Sequence, residues 1–354
     1  RVLLRISLGG RACRRFYVCV ELFECSCRHL VQHGDVWLGT PNGLYHFNGY
    51  TLKHYEDSLF ANKNIFRFAE DKNGTFWILT DDWPIYRKKG SKSFVSLCPD
   101  ENAEKRAFNS ICQDDEGLWL GSSGKLFRYT YADKSFKLFK EIKSTPTFVF
   151  RDISMLDSKT LLCSSHIGII FVDTETGEVR NCSFGSYKEV SASLIDSKGN
   201  IWLAFFNNGI EVYSKDGILL KKYNTENSDL SNNIVLCLTE RDSAIWAGTE
   251  GGGINIIDSE KDRITILSHI AGDPSSFPAQ SIKCIYTDAD GNIWAGSTRR
   301  GLISISVSEM ITYSDSHIGL KTGLSNPTVL CLYQDSRSRY IWIGTDGDGL
   351  NRFD

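Results

Sequence analysis

Long apolar runs, excess basic charge and methionine are all scarce in this sequence of 354 residues. No segment approaches the roughly 18 consecutive apolar residues of a membrane-spanning helix, so the sequence predicts no span of that kind. The chain has 40 Lys and Arg against 43 Asp and Glu, a formal net charge of −3. Nucleic-acid surfaces usually need a clustered basic excess, so we expect no nucleic acid contact.

Motifs of the common hydrolases and nucleotide-binding proteins are absent as well. The sequence has no Gly-x-Ser-x-Gly elbow, no His-Glu-x-x-His pair and no phosphate-binding loop. Cys25, Cys27, His29 and His33 are spaced too tightly for an ordinary zinc site. We therefore predict no catalytic residues, no metal and no cofactor in this chain.

The amino-acid composition is typical of a protein rich in β-strands. Hydrophobic residues make up 41% of the sequence and charged residues 23%, which is typical of a folded globular protein. Eight Trp and 30 Gly accompany only 2 Met. No window of ten or more residues has sustained helical periodicity, so we expect little or no α-helix.

A unit of 40 to 48 residues recurs eight times after residue 34. Most units carry an apolar run ending in acid, a turn, a Trp, and then Gly-Leu or Gly-Ile. In the fourth unit Leu162 replaces the Trp. The aligned tryptophans of the other units are Trp37, Trp77, Trp119, Trp202, Trp246, Trp294 and Trp342.

Four short strands per unit is the spacing of a β-propeller blade. One four-stranded sheet cannot bury both of its faces, so blades stack on their neighbours and a ring closes. The sequence thus predicts an all-β propeller of four-stranded antiparallel blades. One large aromatic residue per blade fills the gap between neighbours, and we interpret the repeated Trp residues as core.

The repeat resembles the two-component-regulator propeller family. Residues 342–353 (WIGTDGDGLNRF) and 294–302 carry its motif, and residues 43–55 (GLYHFNGYTLKHY) resemble its usual first repeat. The resemblance implies the periplasmic sensor region of a hybrid two-component system. It also implies seven blades, an oligosaccharide ligand or a neighbouring sensor domain as partner, a homodimeric receptor, and a membrane helix and histidine kinase outside this chain.

The family pattern divides the chain into three parts. Residues 35–310 are predicted to form a seven-bladed propeller, and residues 311–354 an eighth repeat that opens a second propeller or closes the ring. Residues 1–34 depart from the pattern, carrying six Arg, two Glu and four of the 11 Cys. We hypothesise that this segment is anomalous and out of frame.

Three other cysteines occupy one position of the first strand in successive units. Cys237, Cys284 and Cys331 are each 47 residues apart. Equivalent positions in neighbouring blades lie too far apart for a disulfide. We expect all three to be small buried residues.

The candidate site lies in the turns between the second and third strands, which should share one face with the connections between blades. Variable loops on a rigid scaffold are where binding residues concentrate. Aromatic, Asn and Arg side chains in these turns suit a sugar ligand, and an arginine pair suits an acidic one. The predicted ligand-binding residues are Trp83, His166, Phe205, Phe206, Asn207, Asn208, Arg299 and Arg300, with Trp83, Phe205 and Phe206 expected to be exposed.

Two other classes of function remain open. A propeller lyase or hydrolase, similar to the streptogramin lyases, would need a His and an acid converging at one mouth of the channel. A protein-interaction scaffold like the WD-repeat proteins is disfavoured because the Trp-Asp and Gly-His signatures are absent.

Overall fold

A computed structural model of the chain shows an all-β protein, as the repeat predicted. It describes residues 3–8, 12–20, 30–32, 35–47, 52–99, 103–182, 189–271, 273, 276–287, 293–308, 329–334, 341–345 and 349–353. These residues contain no helix, and accordingly none long and apolar enough to cross a membrane. They form two compact units, residues 1–6 with 14–307 (unit 1) and residues 7–13 with 308–354 (unit 2).

The strands of unit 1 form sheets of consecutive antiparallel strands, numbered here from 1 to 7. The chain opens with β1 (Leu3–Leu8) and β2 (Ala12–Val20). Sheets 1 to 3 contain β3 (Leu30–Gln32), β4 (Asp35–Thr40), β5 (Gly43–Phe47) and β6 (Leu52–His54); β7 (Ile65–Glu70), β8 (Phe76–Thr80), β9 (Ile85–Arg87) and β10 (Val95–Ser96); and β11 (Phe108–Gln113), β12 (Gly117–Ser122), β13 (Lys125–Thr130) and β14 (Phe136–Glu141).

Sheets 4 to 6 repeat the same pattern. They contain β15 (Phe150–Met155), β16 (Thr160–Ser165), β17 (Gly168–Asp173) and β18 (Val179–Asn181); β19 (Val190–Ile195), β20 (Ile201–Phe205), β21 (Ile210–Tyr213) and β22 (Leu219–Tyr223); and β23 (Val235–Arg241), β24 (Ala244–Thr249), β25 (Ile254–Asp258) and β26 (Arg263–Leu267).

Sheet 7 is built differently, because it draws on both ends of unit 1. Its own repeat supplies β27 (Ile282–Thr287), β28 (Ile293–Ser297) and β29 (Gly301–Ser308). The fourth strand is β2, which lies beside β29, and β1 follows at the edge. A separate sheet in unit 2 contains β30 (Val329–Gln334), β31 (Ile341–Thr345) and β32 (Gly349–Phe353).

We letter the strands of each sheet a to d in chain order. The a strands of successive sheets contact one another from β7 through to β27, so they are the innermost strands. Sheet 7 also packs against sheet 1, where Leu302 and Trp294 meet Val36 and Leu38. The series of neighbouring sheets in unit 1 therefore closes on itself.

Residues 1–34 contribute strands to this arrangement. Strand a of sheet 1 is β3, whose Leu30 pairs with Trp37, although no family pattern marks it in the sequence. The tight group Cys25, Cys27, His29 and His33 lies outside the described residues.

Five of the seven repeated tryptophans are buried between sheets, as predicted, whereas Trp294 and Trp342 are only partly buried. Trp37, Trp77, Trp119, Trp202 and Trp246 are all at most 5% exposed, and Leu162 takes the same place in sheet 4 at 0%. The clusters that contain the first four of these tryptophans and Leu162 each join two consecutive sheets. The core is thus a series of layers between blades and not one central mass.

The cysteine prediction is correct in sheets 6 and 7 and wrong in unit 2. Cys237 and Cys284 are buried, and the Cys237 thiol lies 3.8 Å from the carbonyl oxygen of Ile282 in the next sheet. Cys331, at the same repeat position, is free but exposed. The described part of unit 2 holds a single three-stranded sheet, so no neighbouring sheet covers this thiol there.

An aspartate in the turn between strands a and b binds the core tryptophan of strand b. The Asp71 carboxylate accepts hydrogen bonds from the backbone N–H groups of Asn73 and Thr75, and from the Trp77 indole at 2.8 Å. Asp114 with Trp119 (2.7 Å) and Asp196 with Trp202 (2.8 Å) repeat this contact. The sequence indicated the turn but not the bond to the indole, which fixes the ring between the sheets.

Asp114 makes the stability of sheet 3 dependent on pH. Burial on its own raises the pKa of Asp114, but Arg128, the Glu116 backbone N–H and the Trp119 indole together lower it below its ordinary value. The unfolded chain therefore binds a proton more readily, so the stabilisation is present above about pH 4 and is lost as pH falls through the folded-state pKa. We expect Asp114→Asn to lower the melting temperature near neutral pH and to lose that effect in acid. Thermal unfolding at a series of pH values checks this, and a difference between the two proteins that does not shrink with acidification contradicts it.

Candidate functional site

The b–c turns and the connections between sheets lie on one face of unit 1, which we call the turn face. Backbone hydrogen bonds join each kind of segment to the other. Asp81 of a b–c turn donates to the carbonyl of Asn64 in the preceding connection (3.0 Å), and Glu250 donates to that of Ile234 (2.9 Å). Sheets 5 and 7 have the same bond, from Phe206 to Glu189 and from Thr298 to Ser281.

A buried hydroxyl at the end of strand b holds the b–c turn. Thr249 Oγ1 donates to the carbonyl of Gly253 at 3.0 Å, and Ser297 Oγ donates to that of Gly301 at 3.1 Å. Thr40 and Ser165 make the equivalent bond. Sequence reasoning missed this role, although Gly-Thr or Gly-Ser at the end of strand b was visible as its signal. The turns are therefore rigid supports for the side chains they carry.

The b–c turn of sheet 5 carries four of the predicted site residues. The two neighbouring phenylalanines differ sharply, because Phe205 is 1% exposed and Phe206 is 47% exposed. The expectation that Phe205 is exposed is wrong: it ends β20 with its ring in the cluster between sheets 4 and 5. Asn207 is exposed beside Phe206, and Asn208 Nδ2 lies 3.4 Å from the buried carboxylate of Glu211.

Gly209 closes this turn and has no tolerance for a side chain. Its φ is +71°, and a Cβ atom there would lie 2.1 Å from the carbonyl oxygen of Tyr223. Its N–H donates to the carbonyl of Asn233 in the next connection, and its own carbonyl accepts from Phe205. The position of Phe206 is thus fixed by backbone contacts on both sides of the turn.

Trp83 occupies the b–c turn of sheet 2, and the expectation that it is exposed is wrong because it is half-buried against sheet 3. Its ring lies 5.9 Å from that of Phe108 and 6.2 Å from that of Phe136, both in sheet 3. It packs with the cluster between sheets 2 and 3 and leaves only part of its surface on the turn face.

The remaining predicted residues lie on other sheets. His166 is half-buried in the b–c turn of sheet 4, next to a cavity of about 600 Å³ whose lining includes Ile167 and Gly168. Arg299 and Arg300 are exposed in the b–c turn of sheet 7, where the Arg300 N–H donates to Ser297 Oγ at 2.8 Å. The structure brings together residues 205–208 and distributes Trp83, His166 and the arginine pair around the same face.

An ion pair beneath this face was not foreseen from the sequence. Arg67 on β7 extends to β15, where its guanidinium lies 2.5 Å from Asp152 Oδ1 and donates to the carbonyl of Arg151 at 2.9 Å. Both charged side chains are nearly buried, at 11% and 5% exposure. Asp152 also accepts a hydrogen bond from the backbone of Ser193 in sheet 5, at 3.3 Å. The Arg67–Asp152 pair thus joins strands of three sheets at the inner side of unit 1.

The described residues offer little to a metal ion. Across them, no three or more His, Cys, Asp or Glu side chains are grouped so that they could hold one. The turn face presents an exposed ring, amide groups and guanidinium groups on turns held by backbone hydrogen bonds.

Known proteins share a repeat motif and a fold with this chain. Three segments match the family model described as two component regulator propeller, at residues 58–82, 276–299 and 323–347. No curated protein sequence matches the chain.

Solved structures share the fold at low sequence identity. The extracellular domain of the hybrid two component system BT3049 from B. thetaiotaomicron has 19% identity and a TM-score of 0.67, over 99% of this chain and 48% of that one. That of BT4673 from the same organism has 17% identity and a TM-score of 0.65, over 100% and 52%. Virginiamycin B lyase from Staphylococcus aureus has 15% identity and a TM-score of 0.62, over 83% and 99%. The chain spans about half the length of the two extracellular domains.

Proposed function

We propose that this chain, which carries two component regulator propeller repeats, is the extracytoplasmic ligand-sensing region of a hybrid two-component sensor. Its turn face binds oligosaccharides released by glycan breakdown, or a neighbouring sensor domain that presents them. A bound ligand favours one arrangement of a homodimeric receptor and so alters a histidine kinase outside this chain.

The observation that carries this proposal is the exposed ring of Phe206 on a rigid turn. Apolar residues exposed singly are ordinary on protein surfaces, and what distinguishes Phe206 is the exposed Asn207 beside it on a turn fixed by backbone bonds. The ring offers a flat apolar surface to a sugar, while Asn207 and Asn208 offer amide donors and acceptors to its hydroxyl groups. The turn loses little conformational entropy when a ligand binds, because backbone hydrogen bonds already hold it.

The architecture supports the same proposal. We infer that the seven sheets of unit 1 form one seven-bladed propeller and that the sheet of unit 2 begins a second one. Leu332, Tyr333 and Leu350 of unit 2 are each at least 64% exposed, as expected of a blade face on which a further repeat stacks. We propose that this chain faces the periplasm.

A titration of the whole chain tests sugar binding at Phe206. We expect at least one member of a panel of plant and host oligosaccharide fragments to bind by calorimetry. Phe206→Ala should weaken that binding about tenfold, since a central aromatic contact contributes on the order of 1–2 kcal/mol. Ile218→Ala is the matched control, because Ile218 is 64% exposed in a c–d turn. No heat from any sugar, or equal losses in the two variants, would count against the proposal.

The likeness to virginiamycin B lyase keeps a lyase or hydrolase as the second candidate. The same panel separates the two functions, because an enzyme converts its ligand and a sensor returns it unchanged. Chromatography of each sugar after prolonged incubation with the chain makes this distinction.

A further inference from the structure

Every a strand from β7 onward contains a β-bulge at its second residue. In β15, Phe150 pairs with Ser165 and Asp152 with Ser164, so Arg151 is the extra residue. The register shifts at the same place in β7, β11, β19, β23, β27 and β30. Bulges redirect side chains and recur beside functional sites. A bulge repeated at one position in seven sheets is therefore a regular feature of this fold.

In unit 1 the bulged residues form a collar at the end of the channel nearest the turn face. In each of the six strands, the bulged second residue is partly or fully exposed, while the first and fourth residues of the strand are buried. Since the a strands are innermost, the bulged residues of six of the seven sheets lie on the inner side of unit 1. The collar residues are Phe66, Asn109, Arg151, Ser191, Leu236 and Lys283.

The Arg67–Asp152 ion pair contacts the backbone of the collar. The Arg67 guanidinium donates to the carbonyl of Arg151, which holds the bulged backbone in place. Ser191 Oγ donates to the carbonyl of Val235, which ties the collar to the start of the next a strand. The collar positions are therefore set before any ligand arrives.

The charges on the collar have one sign. Arg151 lies in sheet 4 and Lys283 in sheet 7, three sheets further along the chain, and both are exposed. The Arg151 guanidinium lies 3.8 Å from the Glu189 carboxylate. Both side chains are about half exposed, so this ion pair is weak. No described acidic side chain pairs with Lys283. Phe66 and Leu236 add partly exposed apolar surface.

We propose that this collar binds a carboxylate of the ligand, so that the oligosaccharide sensed by the turn face is an acidic one that carries uronic acid. The inference rests on the proposed function and names its substrate class. Arg151 and Lys283 bind the carboxylate, Phe66 contacts the sugar ring, and Arg299 and Arg300 lie further out on the same face.

Trisaccharides of galacturonate, glucuronate and mannuronate, each with its carboxyl-reduced neutral counterpart, provide the test. We expect at least one acidic sugar to bind the whole chain about tenfold more tightly than its reduced form, with the difference shrinking at high salt. Arg151→Gln and Lys283→Gln should each remove most of that preference and leave the affinity for the neutral sugar unchanged. Arg180→Gln on β18 and Lys215→Gln in a c–d turn, both exposed and away from the collar, should bind as the unaltered chain does.

The outcomes separate this inference from the proposed function. Equal binding of acidic and reduced sugars, or a preference that survives both collar variants, overturns the carboxylate site and leaves sugar sensing intact. If no sugar of either kind binds, the proposed function and the inference both fail. Circular dichroism of each variant confirms that a lost preference does not come from unfolding.

Discussion

Arg67→Met is expected to reduce the free energy of unfolding by about 3–5 kcal/mol, because it leaves the buried carboxylate of Asp152 without its cation. The same change removes the donor to the Arg151 carbonyl. Urea denaturation followed by fluorescence measures the loss. Arg151→Met is the matched control, since Arg151 is half exposed and its ion pair contributes no more than about 1 kcal/mol.

A double variant distinguishes a lost charge partner from a general loss of packing. Arg67→Met with Asp152→Asn removes the uncompensated charge but keeps an acceptor for the Ser193 N–H. We expect this chain to recover most of the stability, as buried ion pairs replaced on both sides usually do. A single variant within about 1 kcal/mol of the unaltered chain, or a double variant no better than the single one, would show that the pair is not a stabilising element.

Trp202→Ala is expected to have a comparable effect, about 3–5 kcal/mol, because it empties a large volume between sheets 5 and 6. The indole is 2% exposed, stacks on Tyr223 with ring centroids 5.9 Å apart, and donates to Asp196. Denaturant unfolding again gives the measurement.

Trp202→Phe serves as the control for the hydrogen bond. It keeps most of the ring volume and loses the donor to Asp196, so we expect a cost nearer 1–2 kcal/mol. If alanine and phenylalanine cost the same, the ring contributes little by packing and the interpretation of the repeated Trp as core is wrong.

The fold could be predicted from the sequence because the repeated unit recurs at a regular spacing. One Trp per unit and the replacement by Leu162 identified the layers between sheets without any knowledge of distances. The strand that follows was harder to interpret. In β20, Trp202 and Ala204 face sheet 6 while Leu203 and Phe205 face sheet 4. A strand buried on both faces has no polar alternation, so nothing in the sequence shows that Phe205 is its last residue and Phe206 the first exposed one.

The channel mouth was beyond sequence reasoning for a different reason. Arg67 and Asp152 are 85 positions apart, and only the closed series of sheets brings them together. The bulged residues leave no shared signature either, because Phe, Asn, Arg, Ser, Leu and Lys all occupy the position. The bulge is a property of strand pairing, so it becomes visible only when the register is known.

Sheet 7 has a consequence for how the protein folds. Sheets 1 to 6 pair strands that are neighbours in sequence, so each forms through short-range contacts and small losses of chain entropy. The strand β2, by contrast, ends at Val20 and pairs with β29, which begins at Gly301. A nascent chain therefore presents β2 early and completes its sheet last, so the six local sheets form first and closure is the late, cooperative step. Until β2 pairs with it, the free edge of β29 exposes unpaired backbone groups that can bind strands of other chains.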